Sequence, residues 1–428
     1  MLNDFHFPTF ITMNLESEIR SLLDQPKSLE KLYREHKLDF VNTFDGIYES
    51  IQEHPVAQVW HERLHYGASS DNTSSKAELF FVIISSIIAG ILAKLPGWIG
   101  MIEEYYYACN FSFIAFPLIA AYFTWKNKIG INRWWIMALA MVISCIYINI
   151  IPMDDKSDTF VLACIHLPLF TWALVGHAFG GHDLKNKSAR VEFLRFNGDM
   201  LVMNVIILIA GALMTGLTLG LFSLIKVDIT SFYLQYIVIW GLAASPIVSS
   251  FLVKTNPNLA NKVSPIIARI FSPLALITLV IYLAVVISTG QDPYTDRDFL
   301  ILFNLLLIAV MALILFATAE STSRQSTAFN NWTLILLAGV TIIINGIALS
   351  AILFRINEWG ITPNRLAVLV GNLLILSNLI WIFKNMVGQF RGNSDSMQIE
   401  NSIATFLPIY SAWAAIVIFL FPILFGFQ

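Results

Sequence analysis

The sequence predicts an all-α, polytopic membrane protein. It reads as a bundle of about eleven transmembrane helices with a small N-terminal helical head on the cytoplasmic side. Three observations carry this reading. Apolar residues make up 57% of the 428 residues and charged residues 13%, about half the charged share of an ordinary soluble domain. Mean hydropathy is +0.68. The charges are also unevenly placed. Residues 1–78 hold seven Lys/Arg and thirteen Asp/Glu, and the far longer remainder holds nineteen and sixteen. This composition excludes a soluble globular chain, a disordered chain and a disulfide-stapled module. The shift near Lys76 divides the chain into a head, 1–78, and a membrane body, 79–428.

In the head, Leu15, Ile19, Leu22 and Leu23 fall at helical spacing until Pro26 stops the run. A second helix opens at Ser28 with Leu29, Leu32, Tyr33 and Leu38. A third runs from about Thr43 to Glu53 with Ile47 and Ile51, and a fourth follows Pro55 with Val56, Val59, Trp60 and Leu64. Gly67 to Ser75 reads as a polar linker. So short a head buries only a small core.

Each span needs about 20 mostly apolar residues to cross about 30 Å of hydrocarbon. Eleven stretches meet this: 79–95, 108–125, 133–151, 159–180, 200–225, 232–253, 266–288, 298–319, 331–354, 365–388 and 405–427. Helix is the expected form, because lipid offers the backbone no hydrogen-bond partner. Trp98, Trp125, Trp134, Trp135, Trp332 and Trp359 sit at span ends, where interfacial belts lie. With the head inside, cytoplasmic loops hold thirteen Lys/Arg and outer loops six. The positive-inside rule therefore places the N-terminus in the cytoplasm and the C-terminus outside. Pro117, Pro168 and Pro246 fall inside spans, where they read either as breaks that line a site or as ordinary prolines of membrane helices.

The sharpest chemical motif is His61-Glu62-Arg63-Leu64-His65. On a helix His61 and His65 share a face and could hold zinc, with Glu62 as general base of a metallohydrolase. Arg63 stands where such helices usually carry an uncharged residue. Gly67 falls one place short of the longer HExxHxxGxxH pattern. The nearby third-ligand candidates are Asp71, Glu78 and the Glu103-Glu104 pair, the last across the membrane. A solvated amphipathic helix is the plainer alternative, and no cofactor is the favoured expectation.

His166 and His177 lie eleven residues apart in span four, on nearly the same helical face. They read either as a polar path or as interhelical hydrogen-bonding groups. Asn149, Asn204, Asn304, Asn345, Asn372 and Asn378 are amides in apolar runs, read as interhelical glue or as part of that path. Arg355 to Arg365 forms a specified reentry, with a glycine turn and a helix start at Thr362-Pro363. An Arg355–Glu358 pair is expected there, and Arg355 and Arg365 could bind an anionic group. Cys109, Cys145 and Cys164 have no CxxC spacing and read as buried thiols.

At this reentry the chain resembles a family of bacterial polytopic membrane proteins, domain of unknown function 4153. The resemblance rests on Arg355-Ile356, Glu358-Trp359-Gly360-Ile361-Thr362 and Asn364-Arg365. Trp359 and Ile361 depart mildly from the family's Arg-Ile…Tyr-Gly-Leu-Thr…Asn-Arg string. The resemblance implies a bacterial cytoplasmic membrane and an all-helical bundle, and it implies no catalytic residue. Net charge is −3, which excludes an electrostatic nucleic-acid binder. The expected partners are the lipid bilayer and a small solute or lipid. The expected role is solute or lipid transport, or a membrane scaffold or signalling component, more than an enzyme.

Overall fold

Two prolines set the starts of head helices. A proline at the first helical position loses no intrahelical bond, because its missing N–H would have had no partner. Pro26 and Pro55 occupy that position in the computed structural model. The structure describes residues 9–35, 37–65, 71–152, 156–181, 186–224, 226–256, 270–281, 283–284, 288, 297–323 and 328–427. The chain divides into two compact units, Met1–Phe80 and Phe81–Gln428.

The first unit holds α1 (Thr9–Ser21), α2 (Pro26–Glu35), α3 (Lys37–Ile51) and α4 (Pro55–His65). Pro26 opens α2 rather than only closing α1. The third helix starts at Lys37, six residues before the expected Thr43, and so brings in Phe40. Ile19, Leu29, Phe40, Phe44 and Ala57 are fully buried, with Trp60 beside them. The rings of Phe40 and Tyr33 each stand 5.2 Å from that of Trp60. A small core of this kind gains from aromatic burial.

The second unit is built from long apolar helices. After α5 (Asp71–Ile99) come α6 (Glu103–Lys126), α7 (Ile131–Ile150), α8 (Asp158–Phe179), α9 (Lys187–Leu224) and α10 (Thr230–Thr255). A short α11 (Ile270–Ile281) follows, then α12 (Arg297–Ser323), α13 (Ala328–Trp359), α14 (Pro363–Phe390), α15 (Ser396–Phe419) and α16 (Phe421–Leu424). Among the described residues there is no strand. Nine described helices are long and apolar enough to cross a membrane. The expected spans 266–288 and 298–319 coincide with shorter apolar pieces, Ile270–Ile281 and Asn304–Ala319. The expected linker is also shorter than read, because α5 is helical from Asp71.

Pro117, Pro168 and Pro246 lie inside α6, α8 and α10, and none of these helices breaks there. Of the two readings, the structure favours ordinary prolines of membrane helices over breaks. The irregular turn lies elsewhere, in a π-helical segment at Tyr233–Val238 of α10.

Large apolar side chains face outward along whole helix faces. On α7, Ile136, Leu139, Ile143 and Ile150 are exposed while Met141, Ser144 and Ile148 are buried. On α9, Leu201, Ile209, Leu213 and Leu217 are exposed by more than half. Water would oppose such continuous apolar faces, and hydrocarbon does not. Inside, one core joins α12 to α15 through Leu307, Ile314, Leu337, Ile344, Leu379 and Ile403. Another joins α5, α6, α8, α9 and α10 through Ala89, Phe123, Val175, Phe193 and Ile247.

Candidate functional site

The HExxH residues lie on one helix, α4, as the spacing requires. The His61 ring stacks on Tyr48 of α3 at 3.7 Å between centroids. Glu62 is exposed. The His65 side chain lies outside the described residues. Arg63, the residue that departs from the protease pattern, binds Glu30 of α2 at 2.6 Å and covers Trp60 at 4.5 Å. That arginine, followed by Arg34, holds the Glu30 carboxyl below the usual carboxylate range, and Glu30 in turn raises the Arg63 guanidinium. The motif's inner residue thus ties α4 to α2. Among the described residues no three His, Cys, Asp or Glu converge to hold a metal.

His166 and His177 do not converge. Eleven residues at 1.5 Å each separate them by about 16 Å along α8. Each ring donates from Nδ1 to the carbonyl four residues back, Leu162 for His166 and Ala173 for His177, both at 2.8 Å. They differ in what surrounds them. His177 lines a crevice of about 150 Å³ between the last turns of α8, the first turns of α9, and α15. His166 is not among its lining residues.

The crevice has a polar mouth and an apolar wall. Asn186, Arg190 and His177 supply the polar side, and Trp172, Phe193, Leu407 and Pro408 the apolar one. Asn186 caps α9 by accepting from the Ala189 amide. The Arg190 guanidinium is positioned by donating to Ala404 O at 3.0 Å. Trp172 donates to Asn197 at 2.9 Å, which fixes its indole against α9. His182, Asp183 and Lys185 fall in the same connector but lie outside the described residues.

Most of the amides act between helices. Asn110 and Asn149 exchange two hydrogen bonds, 3.0 and 2.9 Å, across α6 and α7. Asn372 donates to Asn304 at 2.7 Å, and Asn378 to the Tyr410 hydroxyl at 3.0 Å. Asn204 and Asn345 differ, since among the described residues Asn204 Oδ1 meets no hydrogen-bond partner. Asn345 is fully buried on α13, and among the described residues neither its Oδ1 nor its Nδ2 meets a hydrogen-bond partner.

At the reentry, Thr362 caps α14 by accepting from the Arg365 amide, with Pro363 next. Gly360 takes a positive φ of +77°, which turns the chain. Arg365 donates to Trp359 O at 2.9 Å and Gly360 O at 2.7 Å. Arg355 and Arg365 lie on the Trp359 ring, at 5.5 and 5.8 Å. The expected Arg355–Glu358 pair does not form, because Arg355 turns to the indole and Glu358 faces outward. The two arginines brace this turn.

The span limits 159–180 and 200–225 leave Arg190 and Arg195 in a loop, but both lie on α9. Arg195 bonds Ala319 O of α12 and Glu400 of α15, both at 2.7 Å. The missed signal is the stretch from Arg190 to Asp199, whose charges a hydropathy window rejects. Lys94, counted among the six outer-loop cations, also lies inside a helix. It is buried on α5, with its ammonium 5.1 Å from the Tyr236 ring in the π-helical turn. Comparison of the chain with family models, with curated proteins and with solved structures gave no match.

Proposed function

We propose that the chain is a multi-pass protein of a bacterial cytoplasmic membrane that binds and passes a small or lipidic solute. The crevice among α8, α9 and α15 carries this reading, because it joins an arginine and a histidine to an aromatic and aliphatic wall. Ligand sites combine mostly apolar lining with a few placed polar groups in this way. We extend the proposal to eleven spans, a cytoplasmic head and kinship with domain of unknown function 4153. In support, Lys126, Arg133, Lys187, Arg190, Arg195 and Lys254 gather where α6, α8 and α10 end and where α7 and α9 begin. That concentration agrees with a cytoplasmic end under the positive-inside rule. The crevice opens among these same turns.

Photocrosslinking in native membranes tests the proposal. A benzophenone amino acid at Leu407 should capture one class of molecule, enriched over bulk lipid. The same probe at Leu213, exposed on α9, should capture bulk lipid. Identical capture profiles at the two positions would refute the crevice as a binding site.

A further inference from the structure

We infer that Lys94 and Trp240 form a site for one anionic diacyl phospholipid, with its phosphate on the ammonium and an ester carbonyl on the indole N–H. The site is separate from the crevice and shares none of its lining residues. Lys94 is only 8% exposed on a membrane-spanning helix, α5. Among the described residues its ammonium meets the Tyr236 ring at 5.1 Å and pairs with no carboxylate. A ring offsets only part of the cost of desolvating an ammonium. The helix end does not supply the rest, because Lys94 lies more than a turn before Ile99 and the dipole falls off within the last turn. Nor does a freed carbonyl. Pro96 has no N–H to give Leu92 O, but the Tyr106 hydroxyl donates to that oxygen at 2.8 Å, and Tyr107 donates to Ala93 O at 2.7 Å. Glu103 and Glu104, at the start of α6, are exposed. A cation left in this state within a span points to a ligand.

Trp240 adds a second donor. Gly90, one turn before Lys94 on α5, leaves the space that the Trp240 indole fills, and Trp240 follows Tyr236 by one turn on α10. The Trp240 Nε1 is buried and, among the described residues, meets no hydrogen-bond partner. A buried N–H calls for an acceptor. The two donors therefore stand about 5.4 Å apart in depth along the seam. Tyr236 itself lies in the π-helical turn Tyr233–Val238, a feature that recurs at functional sites. Depth selects the ligand. Trp98, one turn beyond Lys94, belongs to the interfacial belt, and the long lysine side chain reaches toward that level. The ammonium thus stands near lipid phosphates, and the indole one turn deeper, where their ester carbonyls lie. Lysine binds phosphate as a point charge. Ile87, Ile91, Leu234 and Ile237 are exposed around the pair, so what enters carries apolar chains.

Native mass spectrometry of the full chain in detergent, titrated with defined lipids, tests this. Diacyl phosphatidylglycerol should bind about fivefold tighter than phosphatidylcholine, the contribution of one lysine beside anionic lipid. Lys94→Met, which keeps an unbranched apolar stem, should abolish that preference, and Lys94→Arg should keep it. Lys128→Met, beyond the opposite end of α6, should leave it unchanged. Diether phosphatidylglycerol, which has no ester carbonyl, should bind about threefold weaker than the diacyl form. Trp240→Phe should erase that difference. Equal binding of phosphatidylglycerol and phosphatidylcholine by the unmodified protein would overturn the inference and leave water as the group that answers Lys94. A preference that survives Lys94→Met would overturn it too, by placing the lipid elsewhere. Equal binding of the diacyl and diether forms would strike the carbonyl contact. Displacement by millimolar glycerol phosphate would reassign the ammonium to a soluble anion and overturn the lipid.

Discussion

Replacing Glu400 with glutamine should loosen the contact between α9 and α15. The carboxylate accepts from Arg195 at 2.7 Å, and the two side chains are 23% and 20% exposed. Exposed pairs contribute about 0.2–1 kcal/mol. Removing one partner of a fully buried pair costs about 3–5 kcal/mol. A pair about four-fifths buried falls between, at about 2 kcal/mol for Glu400→Gln, or roughly thirtyfold in the folded-to-unfolded ratio. Arg195→Met should cost more, about 3 kcal/mol, because it also removes the bond to Ala319 O. The double variant should cost about 1.5 kcal/mol less than the two singles combined. Reversible unfolding in mixed micelles, followed by circular dichroism against detergent mole fraction, measures all three. Additivity within about 0.5 kcal/mol would refute the claim that these residues act as a pair.

At Gly198 a methyl group would occupy the position of the Phe316 ring, so Gly198→Ala should cost about 1–3 kcal/mol, with Phe316→Leu restoring part in the same unfolding assay; no loss would mean the helices shift freely. Asn345→Leu should stabilise by about 1–3 kcal/mol, because it removes a fully buried amide with no protein partner; a loss would show that the amide holds a bound polar group. In the head, Glu30 has its pKa lowered on folding. Its contribution is therefore present above its unfolded pKa and is lost as pH falls through the lower folded value. Hydrogen exchange of the full chain should show α2 and α4 losing protection below about pH 4.5, with a smaller loss in Glu30→Gln; an unchanged profile would sink the assignment.

The membrane helices were legible because hydrophobic content over 20 residues needs no knowledge of partners. Their ends were not. A hydropathy window rejects Arg190, Arg195 and Asp199, yet α9 runs through all three. Arg195 is tolerated there because Glu400 meets it from 205 positions away. The head shows the opposite case. Phe40, Phe44, Ile47 and Ile51 share one helical stripe, and a start at Thr43 leaves out one of its two phenylalanines. The amides show where local reading stops. Asn372 and Asn345 look alike in sequence, but one finds Asn304 and the other finds no protein group. The HExxH spacing was legible too, but the partners of its residues, Tyr48 and Glu30, lie on other helices.

The Arg195–Glu400 pair and the crevice share two helices, which couples stability to ligand binding. Arg190 bonds Ala404 O one turn beyond Glu400 on α15, and Leu407, Pro408 and Ser411 continue that wall. A ligand that binds only the folded protein stabilises it by about 2.7 kcal/mol at one hundred times its dissociation constant. That exceeds the roughly 2 kcal/mol expected to be lost with Glu400→Gln. A ligand captured at Leu407, once saturating, should therefore raise the stability of Glu400→Gln above that of the ligand-free unmodified protein. The Leu407→Trp/Glu400→Gln double variant, whose crevice is filled, should gain nothing from that ligand. Equal rescue of both variants would place the stabilising ligand elsewhere on the apolar surface, because a crevice ligand cannot act once the crevice is filled.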